Sequence, residues 1–345
     1  MEAVIENPSK SEGHGVRIAL PSDGALYDST LAFLSACGMA VERASSRRYT
    51  ADVAGVPGAL ALFQRGADIT AKVEEGTAEL GFVGLDRFME SRREGGVAAV
   101  VVDDLGYGDC ELVVAVPEAW VDVTSTADLA DLAVEFREQG RELRIATKYP
   151  LLVERFFYAR GVNYFSLVLA SGTLEAAPAM GYADLIADLT ASGATLRENS
   201  LKTLTDGSIL KSQTCLIANR RLLALDPVKL RGARAVLERV EAHLRAGSFC
   251  SVMANLRGPS EEAVAARVME QPELSGVAGP TISAVHTPQG EGQYAVTVLV
   301  KKEWMLDAVE HLRGIGGDGI AVIPTTYLFQ RECSAYQRLL GLLET

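Results

Sequence analysis

GTLEAAPAMGYADLIADLTASGATLRENSLK, residues 172–202, runs from a turn-prone segment holding Glu175, through the apolar stretch Leu185-Ile186-Ala187-Asp188-Leu189, to Ser192-Gly193-Ala194-Thr195 and a helical pattern. A short apolar strand, a small-residue turn and a helix form the repeating unit of an α/β sheet. The order also has chemical content. Asp184 and Asp188 lie four residues apart, which in a strand sets both on one face. The turn from Ser192 to Leu196 offers the first N–H groups of the next helix, which lack intrahelical partners and bind phosphate. Thr195 is the expected N-cap and adds a hydroxyl to this cradle. Carboxylates that accept hydrogen bonds from ribose hydroxyls, beside a phosphate cradle, suit a sugar phosphate. Each piece alone is an ordinary cap or a solvated strand end; the conjunction points to a ligand.

The rest of the chain sets bounds. Its 345 residues allow two or three domains, because single cores rarely exceed about 250 residues. Hydrophobic residues at 48% and charged ones at 23% permit a sizeable core. A net charge of −12 disfavours nucleic acid and anionic membranes as partners, and a polyanionic substrate would need a locally basic pocket. Cys37, Cys110, Cys215, Cys250 and Cys333 form no C-x-x-C pair and no metal spacing, as expected for thiols in a reducing compartment, here the cytoplasm. No apolar run approaches the roughly 18 residues of a membrane span. Residues 1–15 lack the pattern of a secretory signal and are expected to form a disordered tail.

Apolar runs at Val16–Leu20, Leu60–Phe63, Leu80–Leu85, Val97–Val102 and Glu111–Val116 predict strands that alternate with helices. Ser125 or Thr126 caps a helix before Gly140, and Pro150 sits at the first position of another that Gly161 ends. A second series of elements runs from Leu143, and the chain returns through Thr214–Ala218 to a long helix over Asp226–Ala246. Two α/β lobes with a cleft between them follow, at 16–117 plus 206–247 and at 118–205, with crossings near Pro117 and Asp206. Residues 248–345 change pattern. They predict β (Phe249–Asn255), α (Pro259–Gln271), β (Thr281–His286), β (Tyr294–Val300), α (Glu303–Arg313) and β (Gly319–Ile323), a ferredoxin-like βαββαβ unit joined in its middle by a turn at 289–292.

The chain resembles the ATP phosphoribosyltransferases that open histidine biosynthesis, in their long form, from about Val16 to Phe329. The likeness is carried by Glu175, Pro178, Gly181, Ala183-Asp184, Ile186, Asp188, Ser192-Gly193, Thr195-Leu196 and Leu201. Arg144-Ile145-Ala146-Thr147, Tyr149-Pro150, Asp68-Ile69 and Leu80-Gly81 through Gly84 extend it upstream. The resemblance implies a two-lobed, type II periplasmic-binding-protein-like catalytic part and a C-terminal domain that binds histidine as feedback inhibitor. It implies Mg2+-dependent transfer of phosphoribosyl from phosphoribosyl pyrophosphate (PRPP) to N1 of ATP, and a homo-oligomer. By the same resemblance PRPP falls to Glu175, Asp184, Asp188, Ser192, Gly193, Ala194, Thr195 and Leu196, with Asp184 and Asp188 at the reacting ribose. Arg48 and Arg65 fall to ATP, and Thr281, Leu299 and Gly319 to histidine. Two departures stand out: Asp23 and Ala25 occupy a first turn where a basic residue is common, and Arg257 stands where some members are acidic. A binding protein without chemistry and a nucleobase phosphoribosyltransferase remain as alternatives.

Overall fold

Short apolar runs alternate with helices from the first strand onward. The structure, a computed structural model, describes residues 15–45, 47–169, 172–286 and 292–344. Apart from Gly15, the expected tail lies outside the described residues, as does most of the 289–292 turn. In chain order come β1 (Arg17–Pro21), α1 (Ala25–Ala36), β2 (Thr50–Asp52), β3 (Leu60–Gln64), α2 (Ile69–Glu74), β4 (Leu80–Gly84), α3 (Leu85–Ser91) and β5 (Ala98–Val102). There follow β6 (Cys110–Pro117), α4 (Thr126–Glu138), β7 (Leu143–Thr147), α5 (Pro150–Ala159), β8 (Phe165–Leu169), α6 (Ala177–Met180), β9 (Leu185–Thr190), α7 (Ala194–Glu198) and β10 (Leu201–Ser212). The chain then returns through β11 (Thr214–Asn219), α8 (Arg220–Leu225) and α9 (Pro227–Ala246).

Two sheets result, in the orders β2-β3-β1-β4-β11-β5 and β10-β6-β9-β7-β8. In each, three parallel strands (β3-β1-β4 and β8-β7-β9) are extended by antiparallel strands, so one topology occurs twice. This is the two-lobed type II periplasmic-binding arrangement. The lobe boundary differs from the expected one. β6 pairs antiparallel with β9 and β10, so it belongs to the second lobe and not the first. The crossings therefore fall between Val102 and Cys110 and at Gln213, not at Pro117 and Asp206. Asp206 lies inside the second lobe, where its carboxylate accepts hydrogen bonds from the Thr126 N–H (2.8 Å) and hydroxyl and from Arg160 (2.9 Å).

Local signals account for the helix ends around the site. Ser125 is the N-cap of α4 and forms a capping box with Asp128. Pro150 is the first residue of α5, and Gly161 follows its end with φ 78°. One buried charge was not anticipated. Glu79, with no exposed side-chain surface, accepts from the Arg17 N–H (2.8 Å) and guanidinium and from Lys229 Nζ (2.8 Å). Burial pushes its carboxyl up, but these bonds outweigh burial and hold it below the usual value. The start of α9 is thereby fixed to the first sheet.

The C-terminal unit follows the expected order: β12 (Phe249–Arg257), α10 (Glu261–Val268), β13 (Thr281–Ala284), β14 (Gln293–Lys301), α11 (Met305–Gly314) and β15 (Asp318–Pro324), with α12 (Ser334–Leu343) beyond it. The antiparallel sheet order β13-β14-β12-β15 is ferredoxin-like. Alternate residues Val252, Ala254, Leu256, Val296, Val298 and Val300 form its core with Val264, Val268, Ala308 and Leu312 of the two helices. By internal contacts the chain divides into one unit ending at Arg234, which also takes up residues from Arg338, and a second unit, Ala235–Gln337. The boundary thus lies within α9, ahead of the expected residue 248.

Candidate active site

The opening stretch forms the strand and turn its pattern predicts, with changes at both ends. β9 buries Leu185, Ile186 and Ala187, and Ile186 packs with Leu174, Ala177 and Leu196. Asp184, Ile186 and Asp188 therefore share one face. The helix after the turn begins two residues earlier than expected. Gly193, with φ 69°, is its N-cap, which places Thr195 inside the first turn; α7 is only five residues long. A left-handed φ at that position favours glycine. The Gly193 N–H donates to Thr190 Oγ1 (2.9 Å), and Ser192 and Thr195 are exposed. The N–H groups of Ala194, Thr195 and Leu196 precede the first intrahelical donor, Arg197, which bonds to the Gly193 carbonyl.

The two aspartates have opposite surroundings. Asp184 precedes β9 beside Arg144 of β7, and its carboxylate accepts from the Arg144 N–H (2.8 Å), the Arg144 side chain (3.1 and 3.2 Å) and Arg141 (3.0 Å). Burial raises its pKa, yet the Arg144 and Arg141 bonds outweigh burial and leave it lowered. Asp188 sits near the other end of the strand, roughly 13 Å further on at about 3.3 Å per residue. Among the described residues it accepts only the Leu189 N–H (2.8 Å) and lies 3.8 Å from Lys148 Nζ. Burial pushes its carboxyl up, and nearby Glu175 adds to the shift against the Leu189 N–H, Lys148 and Arg87.

A cleft of about 560 Å3 opens at the carboxyl ends of the parallel strands. Pro21, Asp23 and Gly24 after β1, Gly66 and Ala67 after β3, and Gly84, Asp86 and Arg87 after β4 line the first-lobe side. Leu189, Thr190 and Ala191 bring the end of β9 to it, with Gly108–Cys110 and Tyr149. Asp86 is buried, accepting Tyr149 Oη (2.7 Å) on one oxygen and Ser212 Oγ (2.7 Å) on the other. Gly84 makes room for it: a Cβ there would lie 2.4 Å from Asp86 Oδ1. Burial first, and then the Asp86 charge, raise the Tyr149 phenol. The lobes are further joined by Glu90 of α3, whose oxygens accept the Leu151 and Leu152 N–H groups (2.9 and 3.0 Å) at the start of α5.

The structure does not bring all the anticipated residues together. Leu189–Ala191 line the cleft, but none of Glu175, Asp184, Asp188 or residues 192–196 is among its lining residues; Asp188 lies close enough to Glu175 and Arg87 to feel their charges, whereas Asp184 is tied to arginines at the far end of the strand. Arg48 and Arg65 are exposed and do not line the cleft, although Gly66 next to Arg65 does. In the C-terminal sheet Thr281 pairs with Thr297, two residues from Leu299 on β14, but Gly319 is on β15, beyond β12. Arg87, Asp86 and Lys148 escaped the sequence analysis. A usable signal existed, since Gly84-Leu85-Asp86-Arg87 follows a strand end and Lys148 adjoins Tyr149-Pro150. No three His, Cys, Asp or Glu side chains converge as a metal site among the described residues, and none of their helices is long and apolar enough to cross a membrane.

Comparison with known proteins agrees with this architecture. The family described as HisG: ATP phosphoribosyltransferase matches residues 65–242, and HisG, C-terminal domain, matches 246–327. ATP phosphoribosyltransferase 1, chloroplastic, of Arabidopsis thaliana is 39% identical over 331 residues, covering 94% of this chain and 80% of that protein. The ATP phosphoribosyltransferase of Rhodopseudomonas palustris (strain BisB18) is 34% identical over 330 residues, covering 94% and 98%. A solved chain of the ATP phosphoribosyl transferase (HisG:HisZ) complex from Thermotoga maritima shares the fold, with TM-score 0.51 and 24% identity over 65% of this chain and 96% of that one. Family matches over both parts of the chain, and relatives of nearly its whole length, identify it as a member of the ATP phosphoribosyltransferase family, in the long form that carries the C-terminal domain.

Proposed function

We propose that the chain catalyses attack of adenine N1 of ATP on C1′ of PRPP, with the C1′–O bond to pyrophosphate breaking, as the first step of histidine biosynthesis. An aromatic nitrogen with a free lone pair needs no general base, so alignment and electrostatics carry the rate. The supporting observation is that the end of β9, Leu189–Ala191, enters a cleft at the strand carboxyl ends, next in sequence to Asp188 and to a turn whose Ser192 and Thr195 are exposed. In this proposal the turn's N–H groups and the Ser192 and Thr195 hydroxyls hold the ribose phosphate. Asp188, with Glu175 nearby, faces the ribose hydroxyls and the positive charge that develops at C1′. Asp184 takes no part in contact with substrate, because its lone pairs are engaged by Arg141 and Arg144.

Mg2+ fits as an ion that arrives with the polyphosphate and keeps several waters, since the described residues provide no all-protein cage. Asp188 and Glu175 near the end of β9, and Asp23 and Asp109 lining the cleft, are carboxylates that could hold it, and it would neutralise charge on the leaving pyrophosphate. Histidine feedback through the C-terminal unit is part of the proposal. It is supported by the adjacency of the Thr281 and Leu299 strands, with Gly319 too far along the sheet to join them. A homo-oligomer and a reducing, cytoplasmic setting complete it, the latter in line with five cysteines that are not in disulfides. The deciding experiment is pyrophosphate release from ATP, PRPP and Mg2+, with and without histidine. Release that depends on both substrates is expected. Binding without release would favour a receptor, and release with a free nucleobase in place of ATP would favour the salvage reaction.

A further inference from the structure

Building on that function, we propose that Arg87 receives the diphosphate portion of a substrate in the cleft, held over the ring of Tyr149, and that Asp86 acts as the positioning residue behind them. The cleft's own charges set the problem. Asp23, Asp86 and Asp109 line it, and Arg87 is the one basic residue among the described lining residues. In a chain of net charge −12, a di- or triphosphate entering beside those carboxylates requires a cation at that place.

The geometry presents this guanidinium to a ligand. Arg87 follows the carboxyl end of β4 in the first turn of α3, which sets it at the rim where α/β sheets bind ligands. Its guanidinium carbon lies 4.4 Å from the centroid of the buried Tyr149 ring, a cation–π contact, and no hydrogen bond among the described residues engages its N–H groups. The nearest carboxylate contact, Arg87 Nε to Asp86 Oδ2, is 3.8 Å, longer than a hydrogen bond. Both Asp86 oxygens are taken by Tyr149 Oη and Ser212 Oγ. Asp86 therefore fixes the ring on which the arginine rests rather than consuming the arginine. Arg144 shows the contrary use of the same residue type, its donors closed onto Asp184 and the Gly181 carbonyl.

Both PRPP and ATP carry such a diphosphate, and kinetics distinguishes them. Pyrophosphate release by the full chain is measured for wild type, Arg87→Gln and Arg87→Lys, with each substrate varied and inorganic pyrophosphate added as product inhibitor. Circular dichroism and thermal melting accompany each assay. Loss of one charge-assisted, two-donor contact should raise the KM of the gripped substrate about 10- to 100-fold in Arg87→Gln. If PRPP is gripped, pyrophosphate inhibition weakens in parallel; if ATP is gripped, the KM for ATP rises alone. Arg87→Lys should lie between, because it keeps the charge and loses the fork. Unchanged KM values and unchanged pyrophosphate inhibition in folded Arg87→Gln overturn the proposal. Should that variant fail to fold, the same result in Arg87→Lys does so. Tyr149→Phe, which keeps the ring and removes the bond to Asp86, should shift the same KM; a lower melting temperature with no KM change overturns the positioning role of Asp86. Absence of turnover in wild type is a failure of the parent function. Calorimetric titration of inorganic pyrophosphate into wild type and Arg87→Gln then decides Arg87 independently: weaker binding in the variant supports it, and equal binding or none to either overturns it.

Discussion

Asp184, just before β9, and Asp188, within it, share one face, yet they do opposite things. At the amino end Asp184 meets Arg144 of the parallel neighbour and Arg141, so its charge is matched by protein and stabilises the fold. At the carboxyl end the neighbouring strand is finished, and Asp188 has one backbone N–H and a lysine at 3.8 Å. Burial pushes both carboxyls up, but only Asp184 has enough donors to offset it, so the first ends lowered and the second raised in pKa. Identical residue types at strand spacing thus become an anchor and a reactive group according to which end of a parallel pair they occupy. The acid near the cleft is the one whose ionisation costs stability, as expected where a charge is kept for a substrate.

The contrast can be broken by exchanging the roles. Asp188→Asn should lower turnover about 100- to 1000-fold, the scale of losing one preorganised electrostatic group, with melting at neutral pH equal to or above wild type. Turnover near wild type in a pyrophosphate assay would remove Asp188 from the site. Asp184→Asn should do the reverse. We expect a loss of about 1–2 kcal/mol, discounted because its arginine partners are partly exposed, and a turnover change below about threefold. Denaturant unfolding with activity at matched folded fraction checks both numbers.

The pH dependence sharpens the comparison. A lowered carboxyl contributes stability above its unfolded pKa and loses it as pH falls through the folded value, so the Asp184 contribution should vanish below the model-peptide value of 3.8. A raised carboxyl has the opposite sign. The Asp188 ionisation penalty grows as pH rises above 3.8 through its folded value, so the melting advantage of Asp188→Asn should increase from acid toward neutral pH. Equal melting differences at all pH values would contradict this. The smallest effect is expected at the turn: Gly193→Ala at φ 69°, with its Cβ 3.0 Å from Arg197 Nη1, should cost about 1 kcal/mol and raise the KM for PRPP about threefold.

Much of this organisation was legible locally. The apolar core of β9, the Ser125 cap, Pro150 at the start of α5 and the βαββαβ order all depend on neighbours within a few residues, where periodicity and capping rules operate. The unread features depend on distant partners. Asp184 meets Arg144 across 40 residues, Asp86 meets Ser212 across 126, and Glu79 meets Lys229 across 150. β10 was hidden because Thr203-Leu204-Thr205-Asp206-Gly207-Ser208 reads as a turn-rich segment. Its pairing with β6 is irregular between Thr203 and Ser208. β6 was placed in the wrong lobe because its pattern as an apolar strand says nothing about which sheet will accept it.

A single residue separates β10 from β11 where the chain crosses back between the lobes. Gln213 joins the two crossings, its Nε2 donating to the Asp103 carbonyl (2.7 Å), while the Leu105 and Thr214 N–H groups bond to the Thr214 and Tyr107 carbonyls (both 3.0 Å). These three hydrogen bonds lace the two crossings side by side. Ser212, next to Gln213, donates to Asp86, which also accepts from Tyr149, so two hydrogen bonds connect the crossing to the ring under Arg87.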